Sequence, residues 1–203
     1  MRKSAQARKA EILDAALRLA DEVGPDRLST EAIARAVGLS QPGVFRHFPT
    51  KQAIWQAVAA TLAERMQANW RRATQEATSP LERLRALFES QLRLIAATPA
   101  VPAILFSREL HAENDLLRGQ FLSLMHRFHA AVAGEIEAAQ AVGTIEPGIV
   151  AADAAFLLIG LVQGLAVRWS LAGRTFDLVD EGARLFDLQL SLLTRYPAAA
   201  SPA

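Results

Sequence analysis

The 203-residue sequence predicts an all-α protein of about nine helices. Three observations carry that expectation. Ala, Leu and Arg dominate, with few β-branched runs. Apolar residues recur at spacings of three and four, not two. Glycine and proline fall at intervals that suit helix ends.

Residues 8 to 23, RKAEILDAALRLADEV, place Ile12, Ala16, Leu19 and Val23 on one stripe, and Gly24-Pro25 ends that helix. Ser29 or Thr30 caps the next, TEAIARAV, which stops at Gly38. Ser40 caps a third, ended by Phe48-Pro49, and Thr50 caps a fourth that runs to about residue 76. Ser79-Pro80, a capping hydroxyl followed by a first-turn proline, restarts the chain on a helix to about Ala97. Two prolines bend residues 98 to 102, and a short helix passes through Leu105 and Phe106. The next runs from about Asn114 to Ala141 and ends at Gly143. Glu146-Pro147 opens an apolar helix that stops near Gly173, and the last spans Phe176 to Arg195 before a frayed tail.

Composition narrows the function. With no cysteine there is no disulfide or thiolate chemistry, which fits a cytoplasmic location. The basic, polar N-terminus has no apolar signal core behind it. The run Ala154 to Val167, bounded or interrupted by Asp153, Gln163 and Arg168, falls short of the roughly 20 apolar residues of a membrane span. Residues 1 to 60 carry nine Lys/Arg against six Asp/Glu, and the remainder thirteen against fifteen. A polyanion partner is therefore expected for the first part only.

The stretch AVGLSQPGVFRHFPTK reads as two short helices joined at Gly38, a helix-turn-helix. Ala34 lets the second helix pack close across the first, and Gly38 tolerates the positive φ of a tight turn. Ile33, Val37, Leu39, Val44 and Phe48 supply the small core, leaving Gln41, Arg46 and His47 outward. Pro42 lacks an N–H, but the first N–H groups of a helix have no intrahelical partner. Gly43 keeps the tip slim, which suits a DNA major groove, where the N-terminal residues of such a helix meet base edges. The alternative is an ordinary helix corner with a solvated polar face.

Residues 8 to 58 resemble the DNA-binding region of the tetracycline-repressor (TetR) family, through RKAEILDAALRLADEVG, LSTEAIARAVGLSQPGVFRHF and PTKQAIWQAV. The resemblance implies a helical homodimer that binds double-stranded operator DNA through residues 1–50 and a small-molecule effector through a body of residues 51–203. It implies phosphate-contacting caps at Thr30 and Ser40, base contacts at Gln41 and Pro42, close backbone approach at Gly43, and phosphate clamps at His47 and Lys51. Arg46 reaches a base or a phosphate. Phe45 stands where the family usually has tyrosine, so one hydroxyl contact, worth roughly 1 kcal/mol, is missing. The basic arm with Arg2, Lys3, Arg8 and Lys9 either follows phosphates or only aids solubility.

In the body, Leu105, Phe106, Phe121, Met125, Phe128, Phe156 and Trp169, with Arg108, His126, His129 and Gln163, are candidates for lining an effector cavity, since such sites are mostly apolar with a few placed polar groups. Ordinary core is the alternative for each. His126 and His129 share a helix face, but no further ligand type accompanies them, so neither metal nor cofactor is expected. Gly160 and Gly164 permit close helix approach, and with Phe186 and Leu190 they mark the expected dimer interface, formed in the family by the last two long helices. No nucleophile elbow, phosphate loop or strong metal motif supports an enzyme. The readings are a regulator, in particular a repressor released by an apolar or amphipathic ligand, and an effector-independent architectural or cell-division protein.

Overall fold

The computed structural model describes residues 4–194. Arg2 and Lys3 of the basic arm, and everything after Thr194, lie outside the described residues. The described residues form ten α-helices: α1 (Ala5–Val23), α2 (Thr30–Ala36), α3 (Gln41–Phe45), α4 (Lys51–Gln75), α5 (Pro80–Ala97), α6 (Ala100–Phe106), α7 (Arg108–Ala112), α8 (Asp115–Ala141), α9 (Ala151–Leu171) and α10 (Leu178–Thr194). The described residues contain no strand.

The additional helix is α7. Its cap is Ser107, whose Oγ accepts from Leu110 N at 2.9 Å immediately after α6 ends. Five residues are too few to display a helical period. α9 begins at Ala151, later than Pro147, because Gln140 Nε2 donates to the Glu146 and Ile149 carbonyls at 2.9 and 2.7 Å and holds that segment as a turn. On α1 the buried stripe is Ile12, Ala16 and Ala20, whereas Val23 at the helix end is 44% exposed.

The chain forms two compact units. The first comprises Met1–Arg65 and Thr98–Leu124. In it α1 packs on α6 and α2, and α2 packs on α3. Its core holds Ile12, Leu28, Ile33, Val44, Ile54, Trp55, Val58 and Leu117, all nearly inaccessible. Asn114, also buried, accepts from Gln56 at 3.0 Å and caps α8 by accepting from Leu117 N at 3.1 Å, so this polar group is satisfied inside the core.

The second unit comprises Met66–Ala97 and Met125–Ala203. Here α5, α9 and α10 pack on one another. Phe88 and Phe186 lie with ring centroids 4.8 Å apart, and Trp70 stacks on Phe128 at 4.9 Å. Trp70 Nε1 donates to Gln91 at 3.1 Å. The start of α5 is a capping box: Ser79 Oγ accepts from Glu82 N at 3.2 Å, and Glu82 accepts from Ser79 N and from Thr78. The Thr78 hydroxyl, followed by the Thr78 and Ser79 amides, holds the Glu82 carboxyl below its ordinary range. The division between residues 50 and 51 drawn from the sequence does not coincide with a boundary of these units.

α10 crosses α5 at Gly182, which is buried. A Cβ there would overlap Leu92 Cδ1 and come within 3.5 Å of Phe88 Cε1. Leu92 is fully buried, so its side chain has little room to yield. Gly160 on α9 has nothing within 4 Å of its would-be Cβ. Gly182→Ala is therefore expected to destabilise the chain by roughly 1–3 kcal/mol through overpacking, while Gly134→Ala, exposed on α8 and likewise open at its would-be Cβ, does not lower stability. Thermal and urea unfolding of the two variants check this; equal midpoints would contradict the packing described.

Candidate nucleic-acid interface

Two serines and one glycine build the turn between α2 and α3. Ser29 Oγ accepts from Ala32 N at 3.1 Å and starts α2. Ser40 Oγ accepts from Gly43 N at 3.2 Å and starts α3. Between them Gly38 adopts φ +67°, conformationally cheap only for glycine, which turns the chain so that Leu39 N reaches the Ala34 carbonyl at 2.9 Å. Ile33, Ala34, Val44 and Phe48 are buried beneath, and Val37 and Leu39 are half-buried. Arg8 fastens α1 to the same turn, donating to the Val37 carbonyl at 3.3 Å while paired with Glu11 at 2.8 Å. Lys9 Nζ stands 5.6 Å from the Phe48 ring centre.

With that core in place, Ser40, Gln41, Pro42, Phe45 and Arg46 are exposed and His47 is half-buried. Thr50 caps α4, accepting from Ala53 N at 3.0 Å. Lys51 Nζ donates to the Asp26 carbonyl oxygen at 3.4 Å, which holds its charged end near the loop before α2. These residues form one contiguous stretch of chain, bearing cations and hydrogen-bonding groups on a short, capped helix.

Two expected roles change. Thr30 is not the cap of α2; Ser29 is, and Thr30 is the first helical residue, only 8% exposed. Its hydroxyl accepts from Gln41 Nε2 at 2.7 Å. Gly43, expected to let the backbone approach an outside surface, is buried. A Cβ there would sit 3.3 Å from Ser40 Oγ and 3.4 Å from Leu39 Cβ, so glycine makes room for the cap and the turn. The Thr30–Gln41 pair was not legible in the sequence, because a contact between residues eleven apart in two different helices leaves no periodic trace.

The residues proposed for an effector cavity are divided between the two units and differ in exposure. Phe121 is buried, Leu105 half-buried, and Phe106 and Arg108 exposed in the first unit. In the second, Met125, His126 and Phe156 are exposed, and His129 and Gln163 are half-buried. Trp169 is buried and occupied structurally, its Nε1 donating to the Phe176 carbonyl at 3.1 Å with Arg174 over its ring. The two histidines have different surroundings: the His129 ring lies 2.9 Å from the Ala152 carbonyl oxygen and 4.1 Å from the Phe156 ring, whereas His126 is exposed. Of the proposed set, only Phe128 borders the apolar cavity of the second unit, with Leu84, Phe88, Val132, Leu158, Ile159, Val162 and Phe186. That cavity is about 10 Å³, room for about one water. The helical period of α5, which sets Leu84 and Phe88 four apart, was the available signal for it.

Gly160 and Gly164 are exposed on α9, on a face that also presents Phe156, Leu157, Val167 and Leu171. On α10, Leu188 and Leu192 are exposed and Leu190 is half-buried. Phe186 is not on this surface: it is fully buried within its own unit against Phe88, with Arg85 over its ring. By length and composition α9 is long and apolar enough to cross a membrane, with 39% of its most apolar window buried. One side of it, including Leu158, Ile159 and Val162, packs into the second unit.

Comparison with known proteins agrees with this geometry. Residues 12–58 match the family model described as bacterial regulatory proteins, tetR family, and residues 80–178 match that of the tetracyclin repressor-like C-terminal domain. The nucleoid occlusion factor SlmA of Vibrio vulnificus is 28% identical over 121 residues; the match covers 59% of this chain, and the chain spans 62% of that relative's length. A putative transcriptional regulator from Saccharomonospora viridis, solved in complex with choline, shares the fold with a TM-score of 0.81 and 22% identity, covering 92% of this chain and 96% of that one. The regulator FadR from Bacillus subtilis, solved with stearoyl-CoA, shares it with a TM-score of 0.72 and 19% identity over 92% and 97%. The helix-turn-helix geometry and the two family matches together lead to one conclusion: the chain belongs to the tetracycline-repressor (TetR) family of DNA-binding transcriptional regulators.

Proposed function

We propose that the chain binds operator DNA as a homodimer and acts as a repressor that releases it when a small apolar or amphipathic molecule enters the C-terminal body. The observation that carries the reading is the outward set Ser40, Gln41, Pro42 and Arg46 on a short helix held from beneath by Val44 and Phe48. In this reading Gln41 meets a base edge, Pro42 touches a thymine methyl group, and Ser40, His47 and Lys51 follow phosphates. Arg46 serves either purpose. Phe45, 38% exposed, adds apolar contact without a hydroxyl. The place of action is the cytoplasm, where bacterial operator DNA lies.

The exposed apolar faces of α9 and α10 supply the surface for the second subunit. A patch of this kind on a water-soluble chain calls for cover, and a twofold dimer covers both copies at once. We assign the effector to the second unit; two solved structures of the same fold were determined with choline and with stearoyl-CoA. A molecule of that size requires the helices around the small apolar cavity to part. α4 contains residues of both units and is the proposed path to the DNA-binding helices. The effector acts only through its unequal affinity for the two states.

An effector-independent architectural or cell-division role is the second reading, favoured by the similarity to SlmA, a nucleoid occlusion factor. Thermal-shift screening with stearoyl-CoA and choline, followed by DNA binding with each, separates the two. A ligand that stabilises the chain and lowers DNA affinity supports the repressor; unchanged DNA affinity across the screen supports the second reading.

Three further outcomes are expected. On a duplex selected by the wild-type protein from a randomised double-stranded library, Gln41→Ala costs roughly 1–3 kcal/mol of discrimination at one or two base pairs per half-site. Lys51→Ala weakens all duplexes about equally and flattens the dependence on salt. Titration against single-base-pair variants of that duplex checks both, and a uniform loss for Gln41→Ala would contradict base readout. Gly160→Leu, which meets nothing within 4 Å in its own chain, leaves the subunit folded but weakens the dimer by roughly 1–3 kcal/mol. Sedimentation measures the shift; a wild-type chain that is monomeric at micromolar concentration would contradict the interface.

A further inference from the structure

We infer that Thr30 is a positioning residue for sequence recognition: its buried hydroxyl holds the Gln41 carboxamide in the orientation with which it meets a base. The inference rests on the reading of Gln41 as a base-contacting residue. Gln41 Nε2 donates to Thr30 Oγ1 at 2.7 Å. The two partners differ in freedom. Thr30 is 8% exposed and sits in the first turn of α2, whose start is fixed by the Ser29 cap and by Ile33 N bonding the Ser29 carbonyl at 3.2 Å. Its β-branched side chain has few rotamers. Gln41 is exposed at the start of α3 and would otherwise sample many. The fixed hydroxyl therefore orients the mobile amide.

The bond leaves most of the glutamine's recognition capacity unused. An amide nitrogen carries two hydrogens and the amide oxygen accepts independently. One hydrogen goes to Thr30; the other hydrogen and Oε1 remain. That donor–acceptor pair is the complement of adenine N7 and N6 in the major groove. A glutamine free to rotate by half a turn about its last bond exchanges the positions of donor and acceptor, and so loses its preference among bases. Holding the amide before DNA arrives also removes part of the ordering cost of binding. A buried hydroxyl already engaged with Gln41 is poorly placed for the phosphate contact that family resemblance implies for Thr30.

The test uses the duplex selected by the wild-type protein from a randomised library, with single-base-pair variants of it and a scrambled duplex. Thr30→Val keeps the branched shape and removes the hydroxyl; Thr30→Ala removes it with less risk of a packing conflict; Thr30→Ser retains it. Where wild type discriminates at the Gln41-dependent base pair by about tenfold or more, Thr30→Val and Thr30→Ala are expected to reduce that discrimination by about threefold or more. Affinity for the scrambled duplex and the salt slope should stay at wild-type values, and Thr30→Ser should behave as wild type. Adding Thr30→Val to Gln41→Ala should change nothing further. Unchanged discrimination in both hydroxyl-free variants overturns the inference while leaving Gln41 readout standing. So does a uniform loss on all duplexes with a shallower salt slope, which is the signature of a phosphate contact. If Gln41→Ala itself leaves discrimination unchanged, the base-readout assignment fails, and the inference with it.

Discussion

The geometry of the DNA-facing surface depends on one backbone constraint, the positive φ of Gly38. At +67° this residue reverses the chain within a single peptide, and Leu39 N–H closes onto the Ala34 carbonyl. A residue with a Cβ would be strained there by roughly 1–2 kcal/mol. The reversal packs α3 on α2, with Val44 buried alongside Ile33 and Ala34 and with Gln41 bonded to Thr30. Five residues cannot form a stable helix in water on their own. α3 is therefore helical because the turn, the Ser40 cap and the core beneath it act together. Its outward side chains inherit their direction from that turn.

The same logic of one satisfied and one unsatisfied face recurs in α9. Its inner side contributes Ala155, Leu158, Ile159 and Val162 to the second unit, where α5 and α10 complete the packing. Its outer side is apolar too, through Phe156, Leu157, Val167 and Leu171, with glycines at 160 and 164 keeping the surface low. A helix that is apolar all round is one built for burial on both sides. The described residues supply cover for only one of them. The second copy proposed above covers the other side.

Much of the fold was legible because it is local. Gly24 at φ +84° ends α1 where the sequence placed the stop, and Ser79-Pro80 begins α5 with a capping box. Gly38, Ser40 and the apolar residues around them announced the helix-turn-helix. What escaped was tertiary. α7 rests on a single cap at Ser107, which also bonds the Asp26 carboxylate far away in sequence. Thr30 read as a cap because it is one residue from Ser29; only the position of Gln41 shows what its hydroxyl touches. Phe186 stands on an amphipathic helix, and periodicity says that such a residue is buried without saying whether its own chain or a partner buries it. The effector-site residues were chosen by type, and type does not separate a core aromatic such as Trp169 from a cavity wall such as Phe128.

The central claim is that DNA is met by the α3 tip and its flanks, not by some other basic surface of the chain. Backbone amide chemical-shift mapping of the intact dimer, titrated with a duplex selected from a randomised library, tests this most directly. The account predicts that the largest perturbations fall on residues 29–30 and 40–51, with α9 and α10 unaffected. Perturbations centred elsewhere, with Ser40 to His47 unchanged at saturation, would contradict it.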